Sequence, residues 1–411
     1  MRLIRLFILV CCMTLLNGCS RSGEDLLCQI EGKPFQGIFP LVKDSANTTK
    51  VMMVHGVGKH IPGYSTQLLK GLADEMGLNH ISEITKNITL NDVMTPGKEF
   101  GNLRVRRLTN EDKSHILVFY ELTWSPLNDG QKAILAYDMS GDYSFGRAFV
   151  NEKIKEVTND IIPDQMLYVG GTRKDILISF EMAFCAMVSR KWDDLPIAST
   201  LECSSSDLLG AVDLMQNEQY AFISHSLGSR IVIDGLQSIA GSVEKLEREG
   251  MKVDGEEKVD VQEFIRTFRQ LRVPVFMLAN QLPLFQVTRK IPKITGQHDA
   301  YCRVDGEHYN LRTLSETNII AFSDPNDILS YTITNDFMRR YIDSRICYKT
   351  TNININVAEV KGIFGIDYAN PLDAHSGYHT DKRVLALIVN GVGNENTLPI
   401  VNESCKIMIT N

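Results

Sequence analysis

A short apolar run, Tyr220-Ala221-Phe222-Ile223, passes directly into Ser224-His225-Ser226-Leu227-Gly228 and then into the helical stretch Ser229–Leu246. A strand that becomes a helix across so few residues leaves room only for small side chains at the turn, and Ser224, Ser226 and Gly228 supply them. Similar runs recur along the chain. Lys50–Val54, Ile116–Leu122, Val273–Ala279 and Asn318–Phe322 are short and apolar, and Ile353–Val360 alternates Ile and Asn before turning apolar. Runs of this kind, bounded by polar residues or Gly, suit strands buried on both faces of a parallel sheet. Helical stretches at Tyr64–Met76, Ser229–Leu246 and Asp381–Val392 alternate with them. The chain therefore reads as α/β, with a mostly parallel central sheet and helices on both faces.

Between the second and third runs lies an extra stretch at about 126–206. Val150, Ile154, Val157 and Ile161 mark one face of a helix there. Asp175–Val188 is apolar almost all round, the pattern of a buried core helix, or of a lid or acyl-pocket wall if it lies over a site. With 44% hydrophobic and 23% charged residues the composition is that of a globular protein and excludes disorder, collagen and coiled coil. A formal charge of −7 with no basic block argues against a nucleic-acid partner.

The N-terminus reads as an address. Arg2 and Arg5 precede an apolar run from Leu6 to Leu16, shorter than the ~20 residues a spanning helix needs. Leu16-Asn17-Gly18-Cys19 resembles the lipobox of bacterial lipoproteins. That resemblance implies a signal peptide over 1–18 and lipidation at Cys19. A tether and lead-in segment over 19–48 would then precede one folded domain over 49–411. Ser20 after the cysteine favours an outer-membrane, cell-envelope location. Of nine cysteines, export leaves Cys28, Cys185, Cys203, Cys302, Cys347 and Cys405. An even set in an oxidising compartment permits three disulfides, and buried thiols are the alternative. Pairing chain neighbours and the two ends gives Cys185–Cys203, Cys302–Cys347 and Cys28–Cys405. His298, Cys302 and His308 are loosely clustered and read as a loop rather than a metal site.

The Ser224–Gly228 turn, set between a strand and a helix, resembles the nucleophile elbow of α/β-hydrolase lipases and esterases, with Ser224 in place of the usual first Gly. Val54-His55-Gly56-Val57-Gly58 resembles the oxyanion loop of the same superfamily. The resemblance implies an α/β-hydrolase fold with Ser226 as nucleophile and the Val57 and Leu227 amides as oxyanion donors. Gly56 and Gly228 would keep the turns narrow, and His55 would be structural. The superfamily's order of serine, acid, histidine directs attention downstream. His375, in the loop before the closing helix, is the implied base, with His379 as the alternative. Asp327, after the Asn318–Phe322 strand, is the implied acid, ahead of Asp324, which is placed to cap the turn at Pro325.

Such a triad needs no metal or organic cofactor. The implied activity is hydrolysis of carboxylic esters, acyl or lipid esters first, by an enzyme held at the membrane through its N-terminal lipid. Thioesterase, amidase or peptidase chemistry uses the same groups, and a non-catalytic lipoprotein that binds through the cleft is a third reading. Phosphate-loop and dinucleotide patterns fail, because position 53 is Met and position 61 is Ile. Cys19→Ala should release the chain from membranes into the soluble fraction. Unchanged sedimentation with membranes would mean that another segment anchors it.

Overall fold

A computed structural model describes residues 28–409 apart from 45–47, 93, 141, 205–206, 208–209, 250–260, 288 and 364–365. The signal segment and Cys19 lie outside the described residues. A twelve-stranded mixed sheet organises the rest. Its strands are β1 (Cys28–Gly32), β2 (Thr48–Val54), β3 (His80–Ile81), β4 (Lys86–Asn91), β5 (Glu99–Thr109) and β6 (Ile116–Thr123). Then follow β7 (Ala198–Glu202), β8 (Glu218–His225), β9 (Arg272–Leu278), β10 (Glu316–Ser323), β11 (Tyr348–Ile355) and β12 (Lys406–Ile409). The order across the sheet is β12-β1-β11-β10-β9-β8-β2-β6-β5-β4-β7, with β3 pairing β5 off that path. The six central strands, β11 to β6 in that order, are mutually parallel. They are the apolar runs of the sequence, and all end at one edge of the sheet.

Alternate side chains of these strands feed two cores, as the period of two requires. Met52, Val54, Tyr120, Phe222 and Met277 face one cluster with α3 (Arg173–Ser189) and α4 (Leu227–Glu249). Val51, Met53, Phe119, Ile223 and Phe276 face the other, with α1 (Thr66–Met76) and α6 (Lys382–Asn390). Helices on both faces of a largely parallel sheet make the chain α/β. Among the described residues no helix is long and apolar enough to cross a membrane.

Three features differ from the sequence expectation. Residues 28–43, expected to be tether and lead-in, are folded. Cys28–Gly32 pairs antiparallel with Tyr348–Ile355, and Phe39–Lys43 is helical. The sixth strand runs Tyr348–Ile355, not Ile353–Val360. It stops because the amides of Val357 and Ala358 donate to the Asp324 carboxylate instead of to a neighbouring strand. The stretch at 126–206 is integrated rather than simply inserted. Ala198–Glu202 joins the sheet beside β4, and α3 is a core helix whose Phe180 packs on Phe222. Its companion α2 (Phe149–Val169) keeps Val150, Ile154 and Val157 exposed.

The six cysteines form Cys28–Cys405, Cys185–Cys203 and Cys302–Cys347, with Cα separations of 4.4, 6.2 and 5.3 Å. The first ties strand β1 to the residue preceding β12, so the first and last strands of the sheet are linked covalently as well as by pairing. Peptide mapping without reductant should return these three linked pairs. The Cys28→Ser/Cys405→Ser variant should lose about 2–5 kcal/mol in urea unfolding; free thiols at all six positions would contradict the pairing.

Candidate active site

Strand β8 ends at His225, and the chain reverses at Ser226 with φ 56°, a left-handed conformation that costs a non-glycine residue about 1–3 kcal/mol. Its surroundings hold it there. The Ser226 amide donates to Leu278 O at 2.8 Å, and Ser226 O accepts from the Ser229 amide at 3.0 Å and the Ser229 hydroxyl at 2.7 Å. No larger residue fits at either neighbouring glycine. A Cβ on Gly228 would lie 2.3 Å from Val54 O, and one on Gly56 would lie 2.5 Å from Ser226 Cβ. Ser224, standing where glycine is usual in such turns, is fully buried and donates its hydroxyl to Phe276 O at 3.3 Å.

The loop after β2 lies against this turn. The Trp124 amide donates to His55 Nε2 at 3.1 Å, so the proton sits on Nδ1, which donates to Gly56 O at 2.8 Å. The imidazole is sandwiched between Trp124 and His60, at centroid distances of 4.7 and 4.1 Å. Burial beside His60 pushes its pKa well below the usual value, so His55 stays neutral and acts as a brace. The Val57 amide follows Gly56, and Leu227 opens α4, whose first amides have no acceptor within the helix.

His375 lies on the short helix α5 (Pro371–Ser376), capped by the Asn370 side chain. Its Nδ1 donates to Asp327 Oδ2 at 2.8 Å, and Asp327 Oδ1 accepts from the Leu329 amide at 2.9 Å. The His375 carbonyl accepts from His225 Nε2 at 2.7 Å, which ties the helix to the residue beside Ser226. Asp324 is occupied elsewhere, accepting the Asn326, Val357 and Ala358 amides, while its own amide donates to the Tyr378 hydroxyl at 2.6 Å. His379 has no carboxylate partner and packs on His225 at 5.1 Å.

Asp327 and His375 are thus joined and set beside the turn. The Ser226 hydroxyl is fully buried and hydrogen-bonded to nothing, His375 included. It lies 3.0 Å from where a Gly56 Cβ would be. Sequence reasoning missed Trp124, His60 and His225, and it missed two aspartates on α2 that bind the loop. Each acts through a contact distant in sequence and carries no local motif. A cavity of about 560 Å³ lined by Phe35, Arg272, Glu316 and Lys349 opens at the opposite sheet edge, where strands begin. It belongs to a different surface. Comparison with protein-family models, curated proteins and solved structures finds no match.

Burial, with His60 and His375 nearby, pushes His379 down to about 4 from 6.5, and burial beside His375 and His379 holds His225 well below its usual value. The unfolded chain binds these protons at pH values where the native chain refuses them. Stability must therefore fall as pH drops from about 6.5 toward 4. His379→Gln should flatten that fall by about one proton, or ~1.4 kcal/mol per pH unit, in urea midpoints measured at pH 7.5, 6 and 5. An unchanged slope would contradict a neutral buried His379.

Proposed function

We propose that the chain is a serine hydrolase of the α/β-hydrolase fold that cleaves carboxylic esters, acyl or lipid esters foremost, and is held at the cell envelope by lipid on Cys19. One observation carries the reading. Ser226 is held in a left-handed turn with its hydroxyl unpartnered among the described residues, and His225 just before it is bonded to the carbonyl of His375, whose Nδ1 donates to the buried Asp327 carboxylate.

In this mechanism Asp327 keeps the proton of neutral His375 on Nδ1, leaving Nε2 free to accept. His375 takes the Ser226 proton as the oxygen attacks the ester carbonyl, and the Val57 and Leu227 amides receive the negative charge on the carbonyl oxygen. His375 then gives the proton to the departing alcohol. Water, deprotonated by the same imidazole, cleaves the acyl-enzyme and returns the proton to Ser226. Because Ser226 is closed from solvent, substrate must displace a covering segment.

Two features support a lipid ester over a small soluble one. Exposed apolar side chains, among them Ile61, Phe149, Ile154, Met166, Ile328 and Leu372, lie on segments that follow the catalytic ends of the central strands. Cys28 pairs with Ile355, the last residue of β11, so the chain also enters at that edge. From a lipid on Cys19 to Cys28 the chain reaches at most about 30 Å. The anchor would hold the catalytic edge toward the membrane.

Ser226→Ala and His375→Ala should each abolish hydrolysis of an ester series, by about 10³-fold or more, while leaving the urea midpoint within 1 kcal/mol. Turnover should rise with acyl length. Full activity in Ser226→Ala would overturn the assignment. Loss in His379→Ala with activity kept in His375→Ala would move the base to His379.

A further inference from the structure

Helix α2 reaches the Val54–His60 loop through two carboxylates one turn apart. Gly58 N–H donates to Asp164 Oδ2 at 2.7 Å, and Lys59 N–H donates to Asp160 Oδ2 at 3.0 Å. Both carboxylates are held from behind by the segment following β6. Asp164, fully buried, accepts Asn128 Nδ2 on Oδ1 at 2.8 Å and Lys132 Nζ on Oδ2 at 3.3 Å. Lys132 Nζ also reaches Asp160 Oδ1 at 2.6 Å and its carbonyl at 2.9 Å.

The contacts fall on successive peptide planes. Gly56 O and Val57 N–H belong to one plane, and His55 Nδ1–H holds its oxygen. Since N–H and C=O of a trans peptide point in opposite directions, this bond aims the Val57 amide away from His55. The next plane carries Gly58 N–H and is held by Asp164, and the third carries Lys59 N–H and is held by Asp160. With the plane on each side fixed, the Val57 dihedrals between them have little freedom. Carboxylates this close to a developing oxyanion would oppose it if they faced it. Here they are turned to the outward amides and shared with the Lys132 ammonium.

We propose that Asp164, seconded by Asp160, is a positioning residue for oxyanion stabilisation: helix α2 sets the direction of the Val57 amide without touching substrate. The proposal rests on the hydrolase reading above. It assigns the 126–206 stretch a part in rate, distinct from any part in shaping the acyl pocket. It also means that a displacement of α2, which carries exposed apolar side chains such as Ile162 and Met166, would be felt at the oxyanion donor.

The test uses the full chain and a short soluble ester, with active sites titrated by a fluorophosphonate so that kcat is counted per competent serine. Asp164→Ala should lower kcat 10- to 100-fold with KM within twofold, since a lost oxyanion donor costs 10²–10³ and a misdirected one less. Inhibition by an alkylboronic acid, which forms a tetrahedral adduct on the serine, should weaken in proportion to kcat/KM. Asp164→Asn should recover to within about threefold of the unaltered chain. Its amide oxygen still accepts from Gly58, and the unpartnered Asn128 Oδ1 can turn to meet the new NH₂. Asp160→Ala, on a half-exposed side chain, should fold regardless and lose three- to tenfold in kcat.

A merely structural role would give fewer titratable sites with unchanged kcat per site and unchanged boronate affinity, and that overturns the proposal. So does an Asp164→Asn variant no better than Asp164→Ala. Failure of the hydrolase reading itself looks different: the unaltered chain would show no turnover beyond that of Ser226→Ala.

Discussion

Everything about the site depends on one backbone reversal. Between β8 and α4 the chain turns at a left-handed serine, and the strain of that conformation is offset by three hydrogen bonds to its own peptide groups. The reversal fixes the neighbours in turn. Gly228 lies so close to Val54 O, and Gly56 so close to Ser226, that β2 and its loop can sit in one position only. His225, just before the turn, reaches the carbonyl of His375 and sets where α5 ends. A shift of the serine would disturb both the amide side and the imidazole side of the site.

The parallel sheet makes such a reversal useful. Its central strands all end at the same edge, so the loops after β2, β8 and β10, and the segment beyond β11, converge there. Ser226 comes from the second of these loops, the Val57 amide from the first, the Asp327 carboxylate from the third and the His375 imidazole from the last. The opposite edge carries a cavity of about 560 Å³ and none of these four groups. The helical stretch after β6 then adds a layer, with α3 filling the core and α2 gripping the first loop through carboxylates.

The parallel strands and the tight turn were legible because each is a local pattern: a continuous apolar run, or small residues at fixed offsets. Asp327 and His375 were reachable from chain order once the turn was recognised, and the structure joins them at 2.8 Å. Strands β4 and β5 were passed over because they alternate, as in Leu103-Arg104-Val105-Arg106, and lie outside the doubly buried centre. Strand β1 was hidden for another reason. Its partner lies more than 300 residues away, and only the disulfide with Cys405 hinted at it. Asp160 and Asp164 looked like ordinary polar positions of an amphipathic helix; their meaning comes from amides about a hundred residues earlier.

The central claim is that Ser226 is chemically activated by its surroundings, and covalent labelling reads that directly. The purified folded chain should react with a fluorophosphonate at a single site that peptide mapping places on Ser226, and prior acylation by an ester should protect it. A folded chain that fails to react, or that reacts at another residue, would contradict the account.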